Sequence, residues 1–174
     1  MSKQDTQALL PAQAFVEAYP HQLPAGALFK FRGFWAMRVA YSDAPTDQAF
    51  LILQGPNAGQ LHSIGKGTAR ALCVASSFTW FAALDPGDPA GSEALHSASL
   101  AISEIGPVIV GGDDEGEHYA FDLTGQPCDD YRSQAGMTRF DRWSAQLALK
   151  DQPFRSLGTI FQVDRRMVRA APDR

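Results

Sequence analysis

Hydrophobic and polar residues alternate along the segment from Phe29 to Tyr41. One set of alternate positions is mostly apolar, whereas the other includes Arg32 and Arg38. A repeat of two residues is typical of a β-strand with one buried face. The pattern therefore predicts one long strand over residues 29–41, which Gly33 would allow to bend.

Short apolar segments separated by turn residues follow this strand. They predict strands over residues 49–54, 60–64 and 68–75, with residues 78–84 either continuing the last of these or forming a separate strand. They also predict a hairpin built from residues 107–111 and 117–123, and a short element over residues 158–163. Connections this short favour antiparallel neighbours, because parallel pairs need crossovers of about a dozen residues or more.

Two segments have apolar residues at helical spacing. The first covers residues 6–18, and the second covers residues 137–150, with Thr138 as its N-cap and Phe140, Trp143 and Leu147 on one face. These patterns predict an α+β fold, in which an antiparallel sheet of about five to seven strands is packed against an N-terminal and a C-terminal helix.

Composition favours one ordinary globular domain. The chain has 174 residues, of which 45% are hydrophobic and 20% are charged, and this length fits a single core. A loop rich in Asp, Pro and Gly at residues 85–91 is the best candidate for an internal division.

The charge and the cysteines narrow the range of partners and locations. A net charge of −4 disfavours nucleic-acid binding. The sequence contains neither a secretory signal pattern nor an apolar run of the ~18–20 residues that a membrane span needs, so we expect a cytoplasmic protein without membrane contact. Cys73 and Cys128 form no C-x-x-C pair, and the spacing leaves a disulfide between them open.

Two features favour a surface that binds another protein. Asp113, Asp114 and Glu115 lie at the tip of the predicted hairpin and would form an acidic surface. Phe34 occupies the polar set of positions between Arg32 and Arg38, where an aromatic side chain on the outer face of a sheet suits a partner surface or a second buried layer. A homo-oligomer, assembled through a sheet edge, is compatible with this interpretation.

An alternative hypothesis is a pocket on the face of the sheet. His62, His118 and Asp122 fall on predicted strands and could meet there as an acid–base or ligand-binding group. The sequence has no catalytic motif from which to assign a catalytic residue, and its histidines and cysteines lack the spacing of a metal site. We therefore predict neither a metal nor another cofactor.

The segment over residues 105–150 resembles the C-terminal part of the SUKH superfamily of immunity-type interaction proteins. The resemblance lies in the strand end Tyr119-Ala120-Phe121-Asp122-Leu123-Thr124-Gly125, a polar connection, and the segment Thr138-Arg139-Phe140-Asp141-Arg142-Trp143. It implies a helix over the second segment and an interaction protein, and it assigns no site residues. We accordingly expect a non-catalytic protein-binding module, with a small-molecule-binding domain or a small enzyme as the alternative.

Overall fold

The computed structural model of the protein describes residues 9–40, 48–65, 69–90, 98–112, 117–128 and 137–165. Thirteen strands lie within these ranges. They are β1 Phe15–Ala18, β2 Leu28–Phe31, β3 Phe34–Ala40, β4 Gln48–Ile52, β5 Leu61–Ser63, β6 Ala71–Val74, β7 Phe78–Leu84, β8 Leu100–Ser103, β9 Gly106–Gly112, β10 His118–Asp122, β11 Thr138–Phe140, β12 Arg142–Leu149 and β13 Gly158–Asp164. Single 3-10 turns occur at Ala12–Ala14 and Pro20–Gln22.

The strands form three antiparallel sheets. The first sheet has the order β1-β6-β2-β3-β4-β5, the second β10-β9-β8-β11 and the third β13-β12-β7. The largest hydrophobic cluster takes side chains from all three sheets, among them Met37, Ile109 and Leu147. It also draws on both sides of the loop at residues 85–91, since Trp35 and Trp143 each pack against Phe161, with ring centroids 6.0 and 5.9 Å away.

The predicted α+β class is wrong, because the structure is mostly antiparallel β. Strands account for 55% of it and helical residues for 5%, and the described part of the chain contains no helix of seven or more residues. It follows that none of the described helices is long and apolar enough to cross a bilayer.

The predicted C-terminal helix over residues 137–150 is replaced by β11 and β12. Trp143, Ala145 and Leu147 are buried at alternate positions of β12, between half-buried Ser144 and Gln146. Phe140 belongs to β11, and a bend at Asp141 separates the two strands. The three-residue step from Phe140 to Trp143, which suggested a helix, therefore arises because the bend interrupts the alternation of a strand.

The predicted N-terminal helix over residues 6–18 is also wrong where the structure describes it. Residues 6–8 lie outside the described ranges, and the remainder forms the 3-10 turn Ala12–Ala14 followed by β1. β1 pairs with β6, with Phe15 opposite Val74. Because Phe15 and Val16 have side chains that favour strands, pairing with β6 is the conformation that their intrinsic preference supports.

The predicted long strand over residues 29–41 is wrong: its described part, residues 29–40, belongs to a hairpin of two strands. β2 and β3 pair through a two-residue turn at Arg32 and Gly33, whose φ angles are +49° and +88°. Positive φ at both central positions matches a type I′ turn, which suits the twist of paired strands. The register places Phe29 beside Ala36 on one face and Leu28 beside Met37 on the other.

A close backbone contact joins the first sheet to the turn after β10. The Gly26 amide donates to the Arg38 carbonyl at 2.7 Å, and the Ala40 amide donates to the Gly125 carbonyl at 2.8 Å. A Cβ atom on Gly125 would lie 2.5 Å from the Arg38 carbonyl oxygen and against the Gly26 amide nitrogen. Only glycine fits at this position, both for space and for its φ of +77°.

Candidate functional site

The first sheet is covered on one face by the main core and bears a second apolar cluster on the other. This outer face carries Phe29, Ala36, Phe50, Ile52 and Cys73 as its buried residues. Their neighbours along the strands, such as Leu28 and Met37, belong to the main core. In a sheet with one face in water, the residues on that face are mostly polar, whereas the outer face of the first sheet is apolar.

Aromatic rings dominate the centre of the outer face. Phe50 contacts Phe29 edge-to-face, with centroids 5.4 Å apart, and Phe31 at 4.8 Å. The His62 ring stacks on Phe50 from β5, with centroids 5.5 Å apart and planes inclined by 22°. These offset and edge-to-face contacts are the favoured geometries for aromatic pairs.

A cavity of about 290 Å³ opens on this face, and we call it the outer-face pocket. Its lining is apolar at the floor and basic at the rim, and consists of Pro20, Phe29, Lys30, Phe31, Arg32, Phe50, Ser63, Ile64, Ala69, Arg70 and Ala71. A cavity of about 150 Å³ accepts benzene. The pocket is therefore large enough for a molecule of one or two aromatic rings.

Two arginines at the rim of the pocket make cation–π contacts with aromatic rings. The Arg32 guanidinium carbon lies 5.2 Å from the Phe31 centroid, and that of Arg70 lies 5.3 Å from the Tyr19 centroid. Lys30 also lines the pocket, but its ammonium lies 5.7 Å from the ring of Trp35, a residue of the main core. Within the described residues neither arginine forms a salt bridge.

His62 is the predicted pocket residue that lies beside the outer-face pocket. Its Nε2 atom is buried and has no hydrogen-bond partner among the described residues. Buried polar atoms are nearly always hydrogen-bonded, so an unpartnered one marks a position that a ligand or water can satisfy.

The other two predicted pocket residues occupy different surroundings. The Asp122 Oδ1 atom accepts hydrogen bonds from the Thr124 amide at 2.8 Å, the Thr124 hydroxyl at 2.7 Å and the Gln126 amide at 3.0 Å. Asp122 thus organises the turn that follows β10. His118 is an exposed residue of β10, opposite Gly112.

The residues of the predicted protein-binding surface are only partly described. Asp113, Asp114 and Glu115 lie outside the described residues. Phe34 is 39% exposed, and its ring fills the space where a Cβ on Gly55 would sit, 2.6 Å from the nearest ring carbon. One face of the Phe34 ring is therefore used to pack the turn after β4.

Cys73 and Cys128 are not joined by a disulfide. Cys73 is buried on the outer face, where its thiol donates to the Ala71 carbonyl at 3.1 Å. Burial raises the pKa of the Cys73 thiol, and a weaker hydrogen bond to the Ala18 carbonyl opposes that rise. The neutral thiol behaves as an apolar side chain. Among the described residues, no group of three or more His, Cys, Asp or Glu side chains could hold a metal ion.

Sequence reasoning did not find Arg32 and Arg70 as site residues. The alternation predicts Arg32 on the polar face of a continuous strand, and of the two turn residues only Gly33 belongs to the types that a two-residue turn prefers. Recognising the turn would have placed Phe29 and Phe31 on the opposite face from Trp35. Arg70 gave no comparable signal.

Comparisons of the chain with models of protein families, with curated proteins and with solved structures found no match. The two segments that carry the resemblance to the SUKH superfamily form β10 with its following turn, and β11 with the start of β12, so strands stand where that resemblance implied a helix.

Proposed function

We propose that this protein binds a small, mainly apolar molecule in the outer-face pocket. The observation that supports the proposal is a cavity of about 290 Å³ whose floor is made by three phenylalanines. A ligand pocket with apolar walls and a few polar groups at its edge is the usual form of a small-molecule site. The proposal concerns binding and includes no chemical step.

The aromatic floor supports a flat ligand. Phe31 and Phe50 are inclined by 56°, and Phe29 and Phe50 by 68°, so a ring entering the pocket meets both faces and edges. The His62 ring stacks on Phe50 beside the pocket, and an ordered water would satisfy its unpartnered Nε2 atom. We also propose a cytoplasmic location, which accords with the absence of a disulfide between Cys73 and Cys128.

Binding of indole, followed by ligand-observed NMR on the full chain, tests the proposal. Ala71 lines the pocket on β6, so Ala71→Leu should fill part of the cavity and abolish the indole signal. Ala83→Leu is the matched control, because Ala83 is also a half-buried strand residue but lies in the third sheet. If indole does not bind the unmodified protein, or binds Ala71→Leu and Ala83→Leu equally well, the outer-face pocket is not the site.

A protein-binding module is the second candidate function, and the exposure of Phe34 favours it. With 39% of Phe34 accessible, its ring offers an apolar contact beside the exposed Arg32. A pull-down of the tagged full chain should then retain a partner at equal stoichiometry, and both Phe34→Ala and the triple alanine variant of Asp113, Asp114 and Glu115 should release it. Retention of that partner by both variants would refute this candidate.

A further inference from the structure

We infer that the ligand of the outer-face pocket carries an anionic group, which Arg32 and Arg70 bind at the rim. The inference rests on the proposed function and adds the chemical class of the ligand, a flat aromatic acid. It is carried by the positions of the two guanidinium groups, the charge of the lining and the backbone conformation of Arg32.

Each of the two guanidinium groups contacts an aromatic ring and can still donate hydrogen bonds to a ligand. Each lies over an aromatic ring, Phe31 for Arg32 and Tyr19 for Arg70, at 5.2 and 5.3 Å from the ring centroid. Such a cation–π contact restrains a guanidinium and uses no hydrogen bond, so its N–H groups are still able to bind an acceptor. Both arginines are exposed and, within the described residues, unpaired with any carboxylate. Their N–H groups therefore lack the planar acceptor that a carboxylate ligand supplies.

The charge of the pocket is opposite to that of the chain. The chain has a net charge of −4, yet the described residues that line the pocket include Lys30, Arg32 and Arg70 and, among them, no carboxylate. Because the Lys30 ammonium is directed to Trp35, the two arginines are the groups positioned to meet an anion. A local cationic rim above an apolar floor matches a molecule with an apolar body and a negative end.

The backbone of Arg32 supplies an independent argument. Arg32 has a φ of +49° at the first position of the β2–β3 turn, where asparagine, aspartate and glycine are preferred. An L-residue with a longer side chain is strained in this region. The arginine therefore makes the turn less stable than asparagine would. A function for its side chain in binding an anion accounts for a residue that lowers the stability of the turn.

Matched probes separate the inference from the proposed function. Indole carboxylate and indole carboxamide have nearly the same shape and differ in charge. We expect the unmodified protein to bind the carboxylate about tenfold more tightly, since charged hydrogen bonds are the stronger ones. Added salt should weaken binding of the carboxylate and leave binding of the carboxamide unchanged.

Variants then assign the effect to the two arginines. Arg32→Asn and Arg70→Gln should each reduce carboxylate affinity toward that of the carboxamide, and Arg32→Asn should unfold at the same denaturant concentration as the unmodified protein or a higher one. Arg155→Gln is the charge-matched control, because Arg155 is exposed in the connection between β12 and β13. Equal affinity for the two probes, or full carboxylate affinity in both arginine variants, overturns the inference while leaving the proposed function intact. Failure of both probes to bind overturns the two together.

Discussion

Gly125→Ala should destabilise the protein far more than Gly33→Ala, although both glycines have positive φ. The added methyl group would point directly at the hydrogen bond between the Gly26 amide and the Arg38 carbonyl, 2.5 Å from the carbonyl oxygen. All three neighbouring atoms belong to backbone, so no side chain can rotate away. Gly33 is the control, because its φ of +88° is similar but no atom lies within 4 Å of its would-be Cβ.

The magnitude follows from the two hydrogen bonds at the contact. Placing alanine in the left-handed region costs about 1–2 kcal/mol, and this is the whole effect expected for Gly33→Ala. At Gly125 the bonds from the Gly26 amide and from the Ala40 amide are also lost or stretched, at about 1 kcal/mol each. Gly125→Ala should therefore reduce the free energy of unfolding by about 3–4 kcal/mol, a large part of the roughly 5–15 kcal/mol typical of a domain.

Urea denaturation of both variants, followed by tryptophan fluorescence, measures the difference. A gap of about 2 kcal/mol corresponds to roughly 4–8 °C in Tm for a chain of this size. If the two variants unfold at the same urea concentration, the two backbone segments do not lie close enough at Gly125 to exclude a methyl group.

Two further predictions concern groups near the site. Burial raises the pKa of the Cys73 thiol in the folded state, so above the ordinary thiol pKa of about 8.5 the unfolded chain loses this proton more readily than the folded protein does. The contribution of the buried neutral thiol to the free energy of unfolding is therefore complete below that pH and is lost as the pH rises beyond it. Unfolding free energy should fall above that pH, Cys73→Ala should flatten the fall, and an alkylating reagent at neutral pH should modify half-buried Cys128 before Cys73. Asp122→Ala removes the acceptor of three hydrogen bonds from Thr124 and Gln126; we expect a loss of about 2 kcal/mol in unfolding free energy with indole binding unchanged, and weakened binding in a fully folded variant would contradict that structural role.

Strands with simple alternation were predictable from the sequence, and bent ones were not. The segments predicted over residues 49–54, 60–64 and 78–84 coincide with β4, β5 and β7. β11 and β12 were taken for a helix because the bend at Asp141 shifts the alternation by one residue, which gives Phe140, Trp143 and Leu147 a helical step. The bend lies where the chain passes from the second sheet to the third, and a periodicity measured along the sequence does not predict such a change of sheet.

The candidate site depended on a turn that the pattern concealed. A two-residue turn exchanges the faces on which odd- and even-numbered residues lie, so Phe29 and Trp35 stand on opposite faces of the first sheet although both belong to the same set of alternate positions. The apolar alternation continues through the turn because both faces of the sheet carry apolar side chains. The aromatic residues of the pocket were therefore assigned to a single core. The approach of Arg70 to Arg32 across the pocket depends on β6 pairing beside β2, a long-range contact that no local pattern encodes.

The position of β13 has a consequence for synthesis of the protein. β13 is the last strand of the described chain, yet it covers one edge of β12 and places Phe161 between Trp35 and Trp143 in the main core. Until residues 158–164 have emerged from the ribosome, one edge of β12 has unpaired backbone hydrogen-bonding groups, and Trp35 and Trp143 lack their contact with Phe161. This core is therefore completed only once residues 158–164 have emerged, and a nascent chain halted before β13 exposes surface on which chaperones or aggregation can act.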